Sequence, residues 1–315
     1  MSRLMLVVPC YNEEECLPET VDKLTECLCS LINKGKIDPD SGMLLVNDGS
    51  RDSTWELIKS FFETNQYVYG VNLAANSGHQ NALMAGIETA AQICDFSVSI
   101  DADLQDDIGV IEEMVDKYIG GADIVYGVRG DRSTDSGFKR FTAESFYKFL
   151  KLMGVKTVYN HADFRLMSKR AMEDLCQYKE QNLYLRGIIP LIGYKTDSVY
   201  YSRKERTAGE SKYPLKKMIS LAWNGITSFS VKPILFITWV GALMSALSFG
   251  ALIVVTVLAL CGFCFTTADF LLVSVWLVGG LLMLSLGIVG QYVGKILTET
   301  KNRPRYRISE FLNRN

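Results

Sequence analysis

The chain has 315 residues, 48% hydrophobic and 22% charged, with a formal net charge of -2. That length fits one large or two modest domains, and the balanced charge excludes the basic footprint of a nucleic-acid-binding protein. Of the eight cysteines, Cys261 and Cys264 have CxxC spacing without a second pair, and the two histidines, His79 and His161, stand far apart in sequence, which disfavours a zinc site.

A first apolar run, 4–9, reads as a strand that delivers Tyr11, Asn12 and Glu13 to its carboxyl end, and a helix is expected over 14–33. Residues 43–47 read as a second strand ending at Asp48-Gly49-Ser50, with Asp52-Ser53-Thr54 as a helix N-cap signature for 54–63. A third strand covers 67–73, a turn follows at 75–78, and 81–91 is apolar at helical spacing. The short apolar run 96–100 reads as a strand buried on both faces. It runs into Asp101, Asp103, Gln105, Asp106 and Asp107. A helix over 108–119 and a fifth strand over 122–129, ending at Arg129, complete the alternation. Alternating strands and helices predict an α/β fold with a mostly parallel, doubly wound (Rossmann-like) sheet, whose ligand chemistry gathers at the strands' carboxyl ends. Neither GxGxxG nor GxxxxGK[ST] occurs, which disfavours a dinucleotide cofactor or a P-loop.

Two carboxylates at the tip of a central strand repel each other unless a cation lies between them. A hard divalent ion with oxygen ligands, Mg²⁺ or Mn²⁺, answers that need and brings a phosphorylated ligand with it. A nucleotide-sugar fits: the metal neutralises the departing diphosphate, and Tyr11, Glu13 and Asp48 hold base and ribose. Asp48 is equally a turn residue before Gly49.

Beyond 129 comes a polar loop with Arg132, Lys139 and Arg140, then a helix expected over 141–153. Asp163 and Arg165 precede a short helix, 194–206 alternates as a strand, and 216–229 is amphipathic with Ile219, Trp223, Ile226 and Phe229 on roughly one face, as a helix in a membrane interface would be. No charge occurs between Lys232 and Asp269 or between Asp269 and Lys295, which predicts two spanning helices, about 233–260 and 270–293. Lysine and arginine flank the pair on both sides and are absent from the loop between. The expected localisation is therefore the inner (plasma) membrane, multi-pass, with both termini and the catalytic part cytoplasmic. The expected organisation is a cytoplasmic catalytic domain, 1–213, a juxtamembrane helix, 214–231, a two-helix hairpin, 232–294, and a cytoplasmic tail, 295–315.

The motifs VVPCYNEEE, LLVNDGSRDST, IDADLQDD, and RTAGESKY ahead of two spans resemble the family 2 glycosyltransferases of GT-A fold. With DRSTDSGFKRFTAESFYK, DFRLMS, GITSFS and KNRPRY, the chain is similar to the enzymes that glycosylate polyprenyl phosphates, the bactoprenol glucosyltransferases above all, with the dolichol-phosphate mannose synthases as relatives. The resemblance implies inverting transfer of a hexose, glucose in the first place, from a UDP-sugar to undecaprenyl phosphate, and a homo-oligomer, a tetramer being the size implied. It implies that Pro9, Tyr11, Glu13, Asp48 and Asp101 contact the nucleotide-sugar, and that Asp101 and Asp103 bind metal with Gln105 beside them. Asp163 would be the carboxylate that acts as catalytic base, with Arg206, Ser211 and Lys212 in a loop covering donor and acceptor. Arg129, Lys139, Arg140 and Lys212 are candidates for the acceptor phosphate, since guanidinium forks suit phosphate. A phosphate monoester has a second pKa near 6 and is already largely anionic at pH 7, so it needs positioning more than a base. One departure from the family's pattern is Ala75, where relatives carry an arginine. The same chemistry with GDP-mannose or a UDP-amino-arabinose donor stays open; a processive synthase is disfavoured by the lack of QxxRW, and a non-catalytic scaffold by the retained acids.

Overall fold

A computed structural model of the chain describes residues 1–129, 161–180, 184–201 and 267–314. Eight strands form one sheet: β1 (Leu4–Cys10), β2 (Gly42–Asn47), β3 (Val68–Leu73), β4 (Phe96–Ser99), β5 (Ile124–Arg129), β6 (His161–Ser168), β7 (Thr196–Tyr201) and β8 (Ile308–Leu312). Their order is β7-β5-β6-β4-β1-β2-β3-β8. The helices are α1 (Leu17–Asn33), α2 (Thr54–Thr64), α3 (His79–Ile93), α4 (Ile111–Ile119), α5 (Lys169–Gln177), α6 (Leu185–Ile188) and α7 (Thr267–Thr300).

β1 is buried along its whole length because both faces are covered. The two-residue period of a strand divides it: Leu4, Leu6 and Val8 join the layer under α1, α2 and α4, while Met5 and Val7 join the layer under α3 and α5. α3 lies close on the sheet because its contact face is made of small residues. A Cβ on Gly86 would stand 2.4 Å from Val7 Cγ1 and 2.9 Å from Val46 Cγ2. That close approach brings the first residue of α3, His79, over the carboxyl edge of the sheet.

The α/β architecture is the expected one, with a mixed sheet. β1–β2, β1–β4, β2–β3 and β5–β7 pair in parallel. β6 runs antiparallel between β4 and β5, and β8 antiparallel along β3. Two of these elements differ from the sequence reading. Residues 161–168 form a strand where the chain reads as a segment before a helix, since Asp163 and Arg165 interrupt the apolar run. The tail contributes an edge strand, β8, which covers the unpaired hydrogen-bonding groups that β3 would otherwise present.

The expected helix over 141–153, the juxtamembrane helix and the first expected span lie outside the described residues. The second expected span falls within α7, a continuous helix of 34 residues, many of whose side chains are also outside the description. Among the described residues, no helix is long and apolar enough to cross a membrane.

At the far end of the sheet, Asp123 is buried and accepts from Arg170 Nε (2.6 Å), Arg170 Nη2 (2.5 Å) and Ser168 Oγ (3.0 Å). Arg170, with burial working in opposition, holds the Asp123 carboxyl below the usual carboxylate range. A depressed carboxylate stabilises the fold above its unfolded pKa, near 4, and loses that effect as pH falls through its folded value. Asp123→Asn is expected to lower Tm at pH 7 by about 2–4 °C, a modest shift because Arg170 is largely solvated, and the deficit is expected to shrink below about pH 4. Thermal melts of both proteins across pH 3–7 check this. Gly86→Val is expected to destabilise by at least about 1–3 kcal/mol, since crowding a packed layer outweighs helix propensity; urea unfolding of the two proteins measures it.

Candidate active site

β1 stands between β4 and β2, so the chain leaves β1 toward one side of the sheet and β4 lies on the other. A crevice opens outside the carboxyl ends of strands at such a reversal. The segments after β1, β2, β3 and β4 meet there, and the antiparallel direction of β6 brings its first residues to the same edge.

Side chains of these loops hold one another's backbones. The Asn12 N–H donates to Ser50 Oγ (3.0 Å), and Asn12 Oδ1 accepts from the Arg51 N–H (2.9 Å). The Glu13 N–H donates to Thr54 Oγ1 (3.0 Å), and Glu14 Oε2 accepts from the Ser53 N–H (3.0 Å). Asn12 takes a left-handed φ of 52° at this turn, a conformation asparagine tolerates. Asp48 is 2% exposed, and its two oxygens accept from the N–H groups of Ser77 (2.7 Å) and Gly78 (3.0 Å). Burial nevertheless raises its carboxyl above the usual range. Asp48 therefore shapes the β3 loop directly, and any contact with a base is made from that tethered position. Pro9 is buried within β1, and Tyr11 is exposed on the rim.

After β4 the chain carries the acids on a strained turn, since Leu104 has φ 49°. Thr20 Oγ1, 2.7 Å from the Ala102 carbonyl, ties α1 to this loop. Asp101 lies on the crevice floor with about a third of its side chain open. Burial pushes its carboxyl up to about 6; His79 pulls the other way, and Asp163, Asp106 and Asp103 push it further. Asp103 Oδ1 accepts from the Gln105 N–H (3.3 Å), and Gln105 itself is buried. Such crowding of negative charge is the environment in which a cation is held. Among the described residues, no group of three Asp, Glu, His or Cys side chains is placed to hold a metal alone. Asp101 and Asp103 are hard oxygen donors of the kind that would suit Mg²⁺ or Mn²⁺, with further oxygen ligands supplied from elsewhere.

Asp163 enters from β6. The hydroxyl of Ser99, the last residue of β4, donates to its carbonyl (2.6 Å). Its carboxylate accepts from Arg165 Nη2 (2.6 Å), Arg186 Nε (3.2 Å) and Arg186 Nη2 (3.1 Å), and His79 Nε2 is 3.6 Å away. His79 Nε2 is also 3.8 Å from Asp101 Oδ1, so the imidazole bridges the two acids. Burial opposes ionisation of Asp163, but Arg186, with His79 and Arg165, outweighs it and holds the carboxyl well below the usual range. Burial likewise opposes the charge on His79, and Asp163 and Asp101 prevail to raise its pKa. Asp163 thereby holds Arg186 and His79 beside it.

Asp101, Asp103 and Asp163 are thus brought together, while Tyr11 and Glu13 lie in the loop that follows the neighbouring β1. Arg129 ends β5, and its side chain is outside the description. Lys139, Arg140, Arg206, Ser211 and Lys212 also lie outside the described residues. Two residues that the sequence reading passed over stand in the site. His79 is the first residue of α3, directly after Gly78. Arg186 is the lone charge in the otherwise apolar 184–192, and the Leu185 N–H beside it donates to Gln80 Oε1 (3.0 Å). Helix-start position in one case and an isolated charge in the other were the available signals.

Asp163→Asn is expected to destabilise the fold by about 3–5 kcal/mol, because Arg165, 1% exposed, is left as a buried charge without its counter-ion. Arg186→Gln, at a more open position, is expected to cost far less. Chemical denaturation of the two variants separates these outcomes.

Residues 5–176 match the family described as glycosyl transferase family 2. The chain is 51% identical over 305 residues to a Bacillus subtilis (strain 168) protein named uncharacterized glycosyltransferase YkoT, covering 97% of this chain and 90% of that one. It is 38% identical over 314 residues to the SfII prophage-derived bactoprenol glucosyl transferase of Shigella flexneri, covering 98% of each chain. The prophage bactoprenol glucosyl transferase homolog of Escherichia coli (strain K12) is also 38% identical, over 97% of this chain and 98% of that one. Among solved structures, the glucosyl-3-phosphoglycerate synthase of Mycobacterium tuberculosis is similar with a TM-score of 0.45 at 15% identity, over 72% of this chain and 79% of that one. The chain belongs to glycosyl transferase family 2 and is a glycosyltransferase.

Proposed function

We propose that this glycosyltransferase moves a hexose, glucose in the first place, from a UDP-sugar to a polyprenyl phosphate at the cytoplasmic face of the membrane, with inversion at the anomeric carbon. End-to-end similarity to proteins named bactoprenol glucosyl transferases supports the lipid acceptor and the sugar. The observation that carries the chemistry is the convergence of Asp101 and Asp103 with the Asp163–Arg186 pair in one crevice.

A divalent cation on Asp101 and Asp103, Mg²⁺ or Mn²⁺, would neutralise charge developing on the diphosphate. The acceptor phosphate oxygen attacks the anomeric carbon as the bond from that carbon to the diphosphate breaks. That oxygen is already anionic near pH 7, so no protein group has to remove a proton. What it does need is cationic company, and Arg186, held by Asp163 through Nε and Nη2, supplies positive charge in the crevice. Alignment of two bound reactants then supplies much of the rate.

The membrane placement is part of this reading. Long uncharged runs at 233–260 and 270–293 support two spans. Pairing of β8 with β3 puts the residues after α7 on the same side as the catalytic sheet, which fits an even number of crossings. Both termini would then be cytoplasmic, and a homo-oligomer fits the same picture.

Purified full-length protein with Mg²⁺ or Mn²⁺, undecaprenyl phosphate and labelled UDP-glucose is expected to yield labelled lipid. EDTA should abolish the product, and Asp103→Asn should reduce turnover by about 10²–10³, the scale of losing one electrostatic stabiliser. The absence of labelled lipid with every common UDP- or GDP-sugar would overturn the proposal.

A further inference from the structure

The C-terminal tail returns to the ligand edge of the sheet. β8 runs antiparallel to β3, so its first residues lie beside the last residues of β3: Ile308 pairs with Leu73, and the Ala74 N–H donates to the Arg307 carbonyl (2.9 Å). The tail is firmly held there. Ser309 Oγ donates to the Asn72 carbonyl (3.0 Å), and the Tyr306 hydroxyl donates to Glu88 of α3. Leu312 packs into the layer that includes Ile58 and Trp55, and the Arg314 guanidinium lies over the Phe62 ring at 4.4 Å while donating to the Asn65 carbonyl (3.0 Å).

The β3 loop beside Arg307 is part of the crevice wall. Ala75 and Asn76 lie so close to Gly49 that a Cβ there would meet the Asn76 nitrogen at 2.5 Å and the Ala75 carbonyl carbon at 2.7 Å. Asp48 holds the next two backbone N–H groups. Arg307 itself is exposed, and no ion pair or hydrogen bond engages its guanidinium among the described residues. The start of the edge strand thus sets the Arg307 backbone beside a loop that the carboxyl ends of β2 and β3 build, with its side chain exposed.

Distance along the sheet indicates which part of a ligand it meets. From β4, where the acid pair would hold a diphosphate, to β3 is three strand spacings, about 14 Å at ~4.8 Å each. A nucleoside diphosphate anchored at Asp101–Asp103 and running over β1 and β2 ends with its base toward β3 and β8. We propose that Arg307 is a donor-binding residue at the nucleoside end, its guanidinium stacking on the base or donating to the base's carbonyl oxygens. The C-terminal strand is then part of the donor site, and α7 is coupled to that site through the short segment between Thr300 and Ile308. This inference rests on the nucleotide-sugar reading above.

The test is equilibrium binding of UDP and GDP to the full-length protein in detergent with Mg²⁺, followed by transfer kinetics. Arg307→Gln is expected to leave Tm unchanged, to weaken nucleotide binding about tenfold, and to raise the donor KM with little change in kcat. Adding Ala75→Arg to the Arg307→Gln protein, which returns a guanidinium to the neighbouring backbone, is expected to restore part of the affinity. Equal nucleotide affinity and donor KM in parent and Arg307→Gln would overturn the assignment of Arg307 alone. A parent that binds neither nucleotide would overturn the nucleotide-donor reading itself and this assignment with it.

Discussion

Negative charge converging on one crevice is the constraint around which this molecule is arranged. Asp101, Asp103 and Asp163 reach the same edge from two strands, with Asp106 just behind. Left to themselves these groups would repel one another, and burial would add to the cost. The protein answers with cations placed selectively. Arg165 and Arg186 take Asp163, and His79 bridges Asp163 to Asp101. Asp163 ends strongly acidic and Asp101 unusually weak, so neighbouring carboxylates acquire opposite characters from their partners. The first is a fixed anchor. The second has no arginine of its own among the described residues, which is why the proposed function puts a divalent ion there.

The fold makes this convergence possible by breaking its own parallel rule. A parallel strand beside β4 would bring only its last residues to the ligand edge. β6 runs the other way, so its beginning, with Asp163, arrives at the edge while its end runs into α5 at the opposite side. Ser99 fastens the junction by donating to the Asp163 carbonyl. Gly86 lets α3 approach β1 closely, which carries His79 and Gln80 over the same crevice. The loops after β1, β2 and β3 are linked to one another by hydrogen bonds through Asn12, Ser50, Thr54 and Asp48.

These features fit a reaction in which a lipid-borne anion attacks and a diphosphate departs. Both partners in the proposed reaction are negatively charged, and the proposal assigns each its own place: the acid pair with a shared cation for the diphosphate, and Arg186, held by Asp163, for the acceptor. The tail adds a third connection. It leaves α7, returns as β8 and seals the sheet at the end away from the acid pair. A segment that sequence alone presents as a charged terminus is therefore part of the catalytic sheet.

The α/β class and the loci of the acid pair followed from local patterns. Apolar runs of strand length alternating with helical periods fix which backbone ends carry Asp48, Asp101 and Asp103, because those residues directly follow the runs. The partnership of Asp163 with Arg186 did not follow, since 23 residues separate them and an antiparallel strand must be placed before they meet. His79 read as an isolated histidine for a related reason: its two partners come from different strands. The tail strand was hidden because its side chains are mostly exposed, so no alternation of burial marks it, and only the open edge of β3 gives it a place to pair. Residue identity determined which chemical groups stand at strand ends; strand direction and helix approach, which depend on packing across the whole sheet, decided which of those groups face one another.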